Sequence, residues 1–261
     1  MIERFSEDVD LLVVFPEGMG ATPRDRALKK LAGLAAERLL LSPDPLASIS
    51  KKGVKREVHL AYSTVVRPHA QIQELVRLEM GSRGGTDPHT RHRVRSMVAN
   101  YAINELGESD DTWEEFAEFE VNVLNPERTL LEKSALLHDI AVNACNDPQS
   151  ASAARMRTCG RHYYDVAALV NSPAVRAELE NLGTEGIADL AARIDEVSDA
   201  AGWPWTPRPT GGYGDSPAFT PPDEFRVIAE VAYNDAVTMV YGARPTFEEA
   251  LTSIRLHMHL L

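Results

Sequence analysis

Hydrophobic positions in the first eighty residues follow two periods. Leu11-Leu12-Val13-Val14-Phe15 is an unbroken apolar run of strand length. Over residues 23–41, Ala27, Leu28, Leu31, Leu34, Ala35 and Leu39 recur at helical spacing between Arg and Lys side chains, which predicts an amphipathic helix on a sheet. Ser42-Pro43-Asp44-Pro45 ends that helix. Residues 57–66 read as a second strand with Val58, Leu60 and Tyr62 on one face, and residues 75–80 as a third, with Arg77 and Glu79 together on its polar side. Residues 81–85 form a loop. Residues 91–104 predict a helix that turns Val94, Val98, Tyr101 and Ala102 inward.

Beyond the acidic, turn-like residues 107–111 the pattern becomes helical. Helices are expected over residues 113–121, 126–145, 161–170, 173–179, 185–200, 223–241 and 247–260. Asn125-Pro126 is a strong start signal, because Asn suits the N-cap and proline the first helical position. Residues 203–222 are dense in Pro and Gly yet carry Trp203, Trp205, Tyr213 and Phe219, so this segment is expected to wrap a lobe or, as the alternative, to stack on bases. The resulting fold class is α+β: a mixed-sheet lobe over residues 1–108, followed by a helical lobe over residues 109–261.

Composition is that of an ordinary soluble protein, 44% hydrophobic and 25% charged. No apolar run reaches the length of a membrane span, and the acidic N-terminus lacks the basic region of a signal peptide, which points to the cytoplasm. Cys145 and Cys159 are too few for a disulfide framework or a cysteine zinc site and are expected reduced. The formal net charge of -12 argues against non-specific coating of nucleic acid. Three local basic clusters nevertheless allow a basic cleft. These are the run Lys51, Lys52, Lys55 and Arg56; Arg83 with His89, Arg91, His92, Arg93 and Arg95; and Arg155, Arg157, Arg161 and His162.

The chemistry begins where the first strand opens. In Arg4-Phe5-Ser6-Glu7-Asp8-Val9-Asp10, alternation points Ser6, Asp8 and Asp10 the same way. Two neighbouring carboxylates repel unless a cation lies between them, and a hard divalent ion is the usual occupant. A solvated strand start is the plain alternative. Lys133 lies beside the apolar stripe of the helix over residues 126–145, where it either snorkels to water or is held inward against a triphosphate. Asp165 either pairs with Arg161 one turn earlier or faces the cleft as a further acid or a partner for Lys133.

Taken in order, Arg-Phe-Ser-Glu-Asp-Val-Asp-Leu at 4–11, Glu79 on a later strand, Glu-Arg-Thr-Leu-Leu-Glu-Lys at 127–133, Arg-His-Tyr-Tyr-Asp at 161–165 and Gly-Ala-Arg-Pro-Thr-Phe-Glu-Glu at 242–249 resemble the AbiEii/MenT nucleotidyltransferase toxins. The resemblance implies a nucleotidyltransferase-fold lobe joined to a helical lobe, with the cleft between them. It implies the toxin of a bacterial toxin-antitoxin pair, with a cognate antitoxin as protein partner. The implied reaction adds nucleotides from NTP to the 3′ end of tRNA and stops aminoacylation. Asp8 and Asp10, with Glu79 as third carboxylate, would hold Mg²⁺ or Mn²⁺. Lys133 would engage the triphosphate and Asp165 complete the cleft. Ser6 aligns with a hydroxyl that some relatives' antitoxins phosphorylate, and Arg77 and Arg83 are further nucleotide-binding candidates. Relatives carry a strand and a glycine-rich turn before Arg-Phe-Ser, whereas only Met1-Ile2-Glu3 precede Arg4. An exposed sheet edge and weak NTP binding are therefore expected. A catalytically silent binding protein and a small-molecule, antibiotic-type nucleotidyltransferase are the alternatives.

Overall fold

The structure, a computed structural model, describes residues 2–6, 8–44, 48–63, 65, 74–81, 85–200, 202 and 205–261. The N-terminal sheet contains β1 (Asp8–Leu12), β2 (Ser42–Pro43), β3 (Ile49–Lys51), β4 (Lys55–Ala61) and β5 (Leu75–Gly81). Its order is β1-β5-β4-β2, with β3 also paired to β4, so β1 is an edge. β1 runs parallel to β5 and the other pairings are antiparallel. Val58, Leu60, Leu78 and Met80 fill one face and pack on α1 (Ala21–Leu39) through Leu28, Ala32 and Ala36. Alternation then commits Glu57, His59, Arg77 and Glu79 to the opposite face. The expected helix and two central strands are present. However, Leu31, Leu34 and Leu39 of α1 stay exposed, because the face that reaches the sheet is the Leu28–Ala32–Ala36 stripe with Ala35 beside it. The short β2 and β3 carry no periodicity of their own and form only as partners of β4.

Residues 89–124 depart from the sequence expectation. In place of one helix over 91–104 there is a strand, β6 (His89–Val94), and then α2 (Met97–Leu106); in place of a helix over 113–121 there is a 3-10 turn (Glu114–Phe116) and a strand, β7 (Phe119–Leu124). β6 and β7 pair antiparallel from His89↔Leu124 to Val94↔Phe119. The pairing crosses residue 108 and joins segments about thirty residues apart, a partnership that local periodicity does not reveal. α2 starts at the Ser96 N-cap, whose hydroxyl accepts from Ala99 N–H at 3.1 Å. Ala99 and Ala102 face inward, while Val98 and Tyr101 are exposed.

The helical part contains α3 (Pro126–Asn146), α4 (Ala151–Cys159), α5 (Arg161–Asn171), α6 (Pro173–Ala200), α7 (Asp223–Val237) and α8 (Phe247–Leu256). α4, short and only weakly amphipathic, has no counterpart among the helices that the sequence pattern predicts. α6 is broken at Gly183, which has a φ of +64°, so the two helices expected there meet at a glycine. Residues 205–222 do wrap this lobe. Tyr213 and Phe219 are buried in its core. His138 bonds the Ser216 hydroxyl (2.8 Å) and the Pro207 carbonyl (3.1 Å), and the Tyr163 hydroxyl donates to the Ala218 carbonyl (3.0 Å). Tyr213 and Phe219 are thus unavailable to bases, and Trp203 lies outside the described residues. Both cysteines are free, Cys145 exposed and Cys159 buried.

Residues 3–5 meet the turn that follows α7. Phe5 N–H donates to the Met239 carbonyl (3.0 Å), Tyr241 N–H to the Glu3 carbonyl (2.9 Å), and the Phe5 and Tyr241 rings lie 5.2 Å apart. The segment that enters β1 is therefore fastened to the helical lobe before it joins the sheet.

Candidate active site

Strand register assembles the first half of the site. Asp10 stands beside Glu79, and Glu79 beside Glu57; one row along, Asp8 stands beside Arg77 and Arg77 beside His59. All six side chains fall on the polar face. Glu79 is tied to Lys55 Nζ at 2.7 Å, and Lys55 also reaches Glu57 at 3.3 Å. Glu57 accepts from His59 at 2.8 Å. The Ser6 hydroxyl hydrogen-bonds Asp8 Oδ1, and Arg161 Nη2 lies 2.9 Å from Asp8 Oδ2.

Helices α3 and α5, which pack on each other, supply the second half. Asp165 is completely buried, and three cationic or polar groups converge on it. Arg4 holds it in a two-pronged ion pair, Nε to Oδ1 at 2.7 Å and Nη2 to Oδ2 at 2.8 Å. Lys133 Nζ lies 2.8 Å from Oδ2 and 3.1 Å from His162 Nδ1. Lys133 is accordingly held inward and does not snorkel. Asp165 does pair with Lys133, but it does not pair with Arg161, which turns instead to Asp8. Sequence reasoning gave no role to Arg4, although period-two alternation places it on the same side as Ser6, Asp8 and Asp10. It likewise passed over Glu57, whose partnership with Glu79 depends on register.

Electrostatics separate these groups. Burial works to raise the Asp165 carboxyl, but its bonds to Arg4 and the Lys133 charge overwhelm it and hold Asp165 far below the ordinary carboxylate range. A group so fixed in its ionised form is no general acid. His162 is pushed down to about 4 by burial, reinforced by the Lys133 and Arg161 charges against the pull of Asp165. It is a neutral acceptor for Lys133, not part of a basic cluster. At Asp8, burial again works upward, and Ser6 and Arg161 bring the carboxyl below its usual value. Asp10 is raised, first by burial and then by the charges of Asp8 and Glu79.

Asp10 is also the carboxylate that has no ion pair or hydrogen bond among the described residues. Its unbalanced charge between Asp8 and Glu79 fits a hard, oxygen-liganded divalent cation that keeps much of its water. Among the described residues no group of three or more His, Cys, Asp or Glu is gathered as a metal cluster. The fit is therefore that of an open carboxylate pair, with Glu79 drawn toward Lys55. Facing it, Arg161 Nε is buried without a hydrogen-bond partner, a donor left over beside Asp8. Arg83 lies outside the described residues.

The basic clusters fare unevenly. Arg91 and Arg93 pair with Glu120, and Arg95 with Glu118 and Asp110. Lys55 and Arg56 are taken up by Glu57, Glu79 and Asp25. Arg155 and Arg157 on α4 are exposed and make no ion pair among the described residues. No helix among the described residues is long and apolar enough to cross a membrane.

Compared with known proteins, residues 1–253 match the family model described as nucleotidyl transferase AbiEii toxin, Type IV TA system. Neither the curated proteins nor the solved structures contain a match.

Proposed function

The chain belongs to the AbiEii nucleotidyl transferase toxin family, and from that premise we propose that it moves a nucleotide from an NTP to the 3′ acceptor end of tRNA, blocking aminoacylation and hence translation. Membership of a type IV toxin-antitoxin family brings an antitoxin partner with it. The observation that carries the catalytic reading is the meeting of two charge sets: Asp8 and Asp10 on the polar sheet face, and Arg161, Lys133 and Asp165 from α3 and α5, joined by the Arg161–Asp8 pair at 2.9 Å.

Asp8 and Asp10, with Glu79 alongside, are the residues that would hold Mg²⁺ or Mn²⁺. Such an ion supplies neutralisation of phosphate charge and a stronger attacking oxygen. Lys133 has three N–H donors; Asp165 and His162 take two, which leaves one to bind a triphosphate oxygen. Arg161, whose Nη2 holds Asp8, adds positive charge beside it. Asp165 touches neither substrate, and it orients Lys133 and, through Arg4, the strand that carries Asp8. In the transfer itself the ribose 3′ hydroxyl gives up its proton to water as its oxygen bonds to the α-phosphorus, while the α–β bridge breaks and pyrophosphate departs. Arg77, in register with Asp8, adds positive charge on the same face.

The protein incubated with each labelled NTP, Mg²⁺ and total tRNA should place label on tRNA, and none should be transferred without tRNA. Asp10→Ala should remove transfer while leaving circular dichroism unchanged. Lys133→Ala should chiefly raise the KM for NTP. Label that appears without tRNA on a small acceptor would replace the tRNA reading with the antibiotic-type one. Absence of any transfer alongside specific tRNA or antitoxin binding would establish the silent-homologue alternative.

A further inference from the structure

Residues 89–124 contribute no side chain to either hydrophobic core. They nevertheless carry large apolar groups in water: Met97 is 54% exposed, Val98 72%, Tyr101 60%, Trp113 61% and Phe119 62%. Met97, Val98 and Tyr101 share one face of α2, since positions three and four apart are neighbours on a helix. Glu105 follows Tyr101 by four and extends that stripe with a charge. α2 packs on the 3-10 turn Glu114–Phe116, whose N-cap is Trp113, so the helix that carries the stripe and the exposed indole are neighbours in the fold. Exposed apolar groups grouped in this way mark an interaction site on a soluble protein.

The charge of this surface decides what kind of partner fits it. Residues 89–124 hold Arg91, Arg93 and Arg95 against Glu105, Glu108, Asp110, Asp111, Glu114, Glu115, Glu118 and Glu120. The three arginines are all engaged by Asp110, Glu118 and Glu120. Glu105, Asp111, Glu114 and Glu115 make no ion pair among the described residues, and every residue from Asn104 to Glu115 is exposed. Phosphate backbone is repelled by such a field. An exposed indole flanked in sequence by Asp110, Asp111, Glu114 and Glu115 instead suits the guanidinium or ammonium of a partner side chain, which gains the ring face and the acid together.

We propose that α2 and the Trp113 turn form a docking surface for a protein partner that presents a basic amphipathic helix, its apolar stripe on Met97, Val98 and Tyr101 and its Arg or Lys side chains on Trp113, Glu114 and Glu115. This surface is separate from the Asp8–Asp165 site, and the proposal does not depend on the transferase reading. The probe is a fluorescein-labelled leucine–lysine amphipathic helix of about eighteen residues, roughly 27 Å long, titrated by anisotropy at physiological salt. The intact protein should bind it saturably at one to one. Tyr101→Ser/Trp113→Ala should weaken binding at least about tenfold. Glu114→Gln/Glu115→Gln should weaken it and flatten its salt dependence. Glu178→Gln/Glu180→Gln, which removes the same charge from exposed positions on α6, should leave binding unchanged, and circular dichroism should be the same throughout. Equal affinity across all three variants, or an equal loss in the α6 control, overturns the proposal. So does a dimer of the free protein in sedimentation that Tyr101→Ser/Trp113→Ala dissolves, because the face would then be occupied by a second copy.

Discussion

Asp165 and His162 sit three residues apart on α5 and titrate in ways that no local sequence feature indicates. For His162 the folded ring is depressed to about 4, below an ordinary value of 6.5. The unfolded chain therefore binds a proton between those two values that the folded protein refuses. Stability should be level above pH 6.5 and should fall as pH drops from 6.5 to 4, by an amount of up to about 3 kcal/mol. Asp165 adds to the loss at still lower pH, since its folded carboxyl lies below the unfolded one and must be protonated on unfolding. Thermal midpoints measured from pH 7.5 to 4 should show this slope in the natural protein and a much flatter one in His162→Gln. An unchanged slope in the variant would mean that other groups carry the acid sensitivity.

Among the elements, the α4–α5 junction is tightly constrained. Gly160 keeps helical backbone angles between the two helices, and its missing side chain lets α7 approach closely. A Cβ built there would lie 2.3 Å from the Ala232 backbone carbon and oxygen. Because the obstacle is backbone, no rotamer change relieves it. Gly160→Ala should cost about 1–3 kcal/mol through overpacking, although alanine is the better helix former by roughly 1 kcal/mol. Denaturant unfolding reads this directly; a stabilised variant would show that α7 shifts freely. As α5 carries Arg161, His162 and Asp165, displacement at Gly160 should also lower transfer activity.

Over the whole molecule, the proposed tRNA acceptor would require an acidic protein to keep positive charge available in a few places. Internal ion pairs consume the arginines of β6 and its following turn as well as Lys55 and Arg56, whereas Arg155 and Arg157, a few residues before Arg161 in sequence, are exposed and make no ion pair among the described residues. If tRNA is the acceptor, Arg155→Gln/Arg157→Gln should reduce the salt dependence of its binding by about two in the log–log slope, roughly one per arginine. Neutralising Arg91 and Arg93 should leave that slope nearly as it was. The reverse pattern, from filter binding across salt concentrations, would move the RNA surface to the β6–β7 ribbon.

Residue pattern alone determined what depends on near neighbours. The helix α1, the strands β4 and β5, the Asn125-Pro126 start of α3, the like orientation of Ser6, Asp8 and Asp10, and the polar face shared by Arg77 and Glu79 all follow from periods of 3.6 or 2 along the chain. The ordered motifs were enough to indicate the family. Tertiary structure decided whatever required a distant partner. The β6–β7 ladder overrode a helical pattern because Phe119–Leu124 supplies the hydrogen bonds that His89–Val94 needs. Asp165 pairs with Arg4, 161 residues away, through both of its oxygens, and not with Arg161 one turn before it. Arg161, thus released, reached Asp8. Asp10 kept its charge unbalanced, because the cations around it were already committed to neighbours that only the fold brought together.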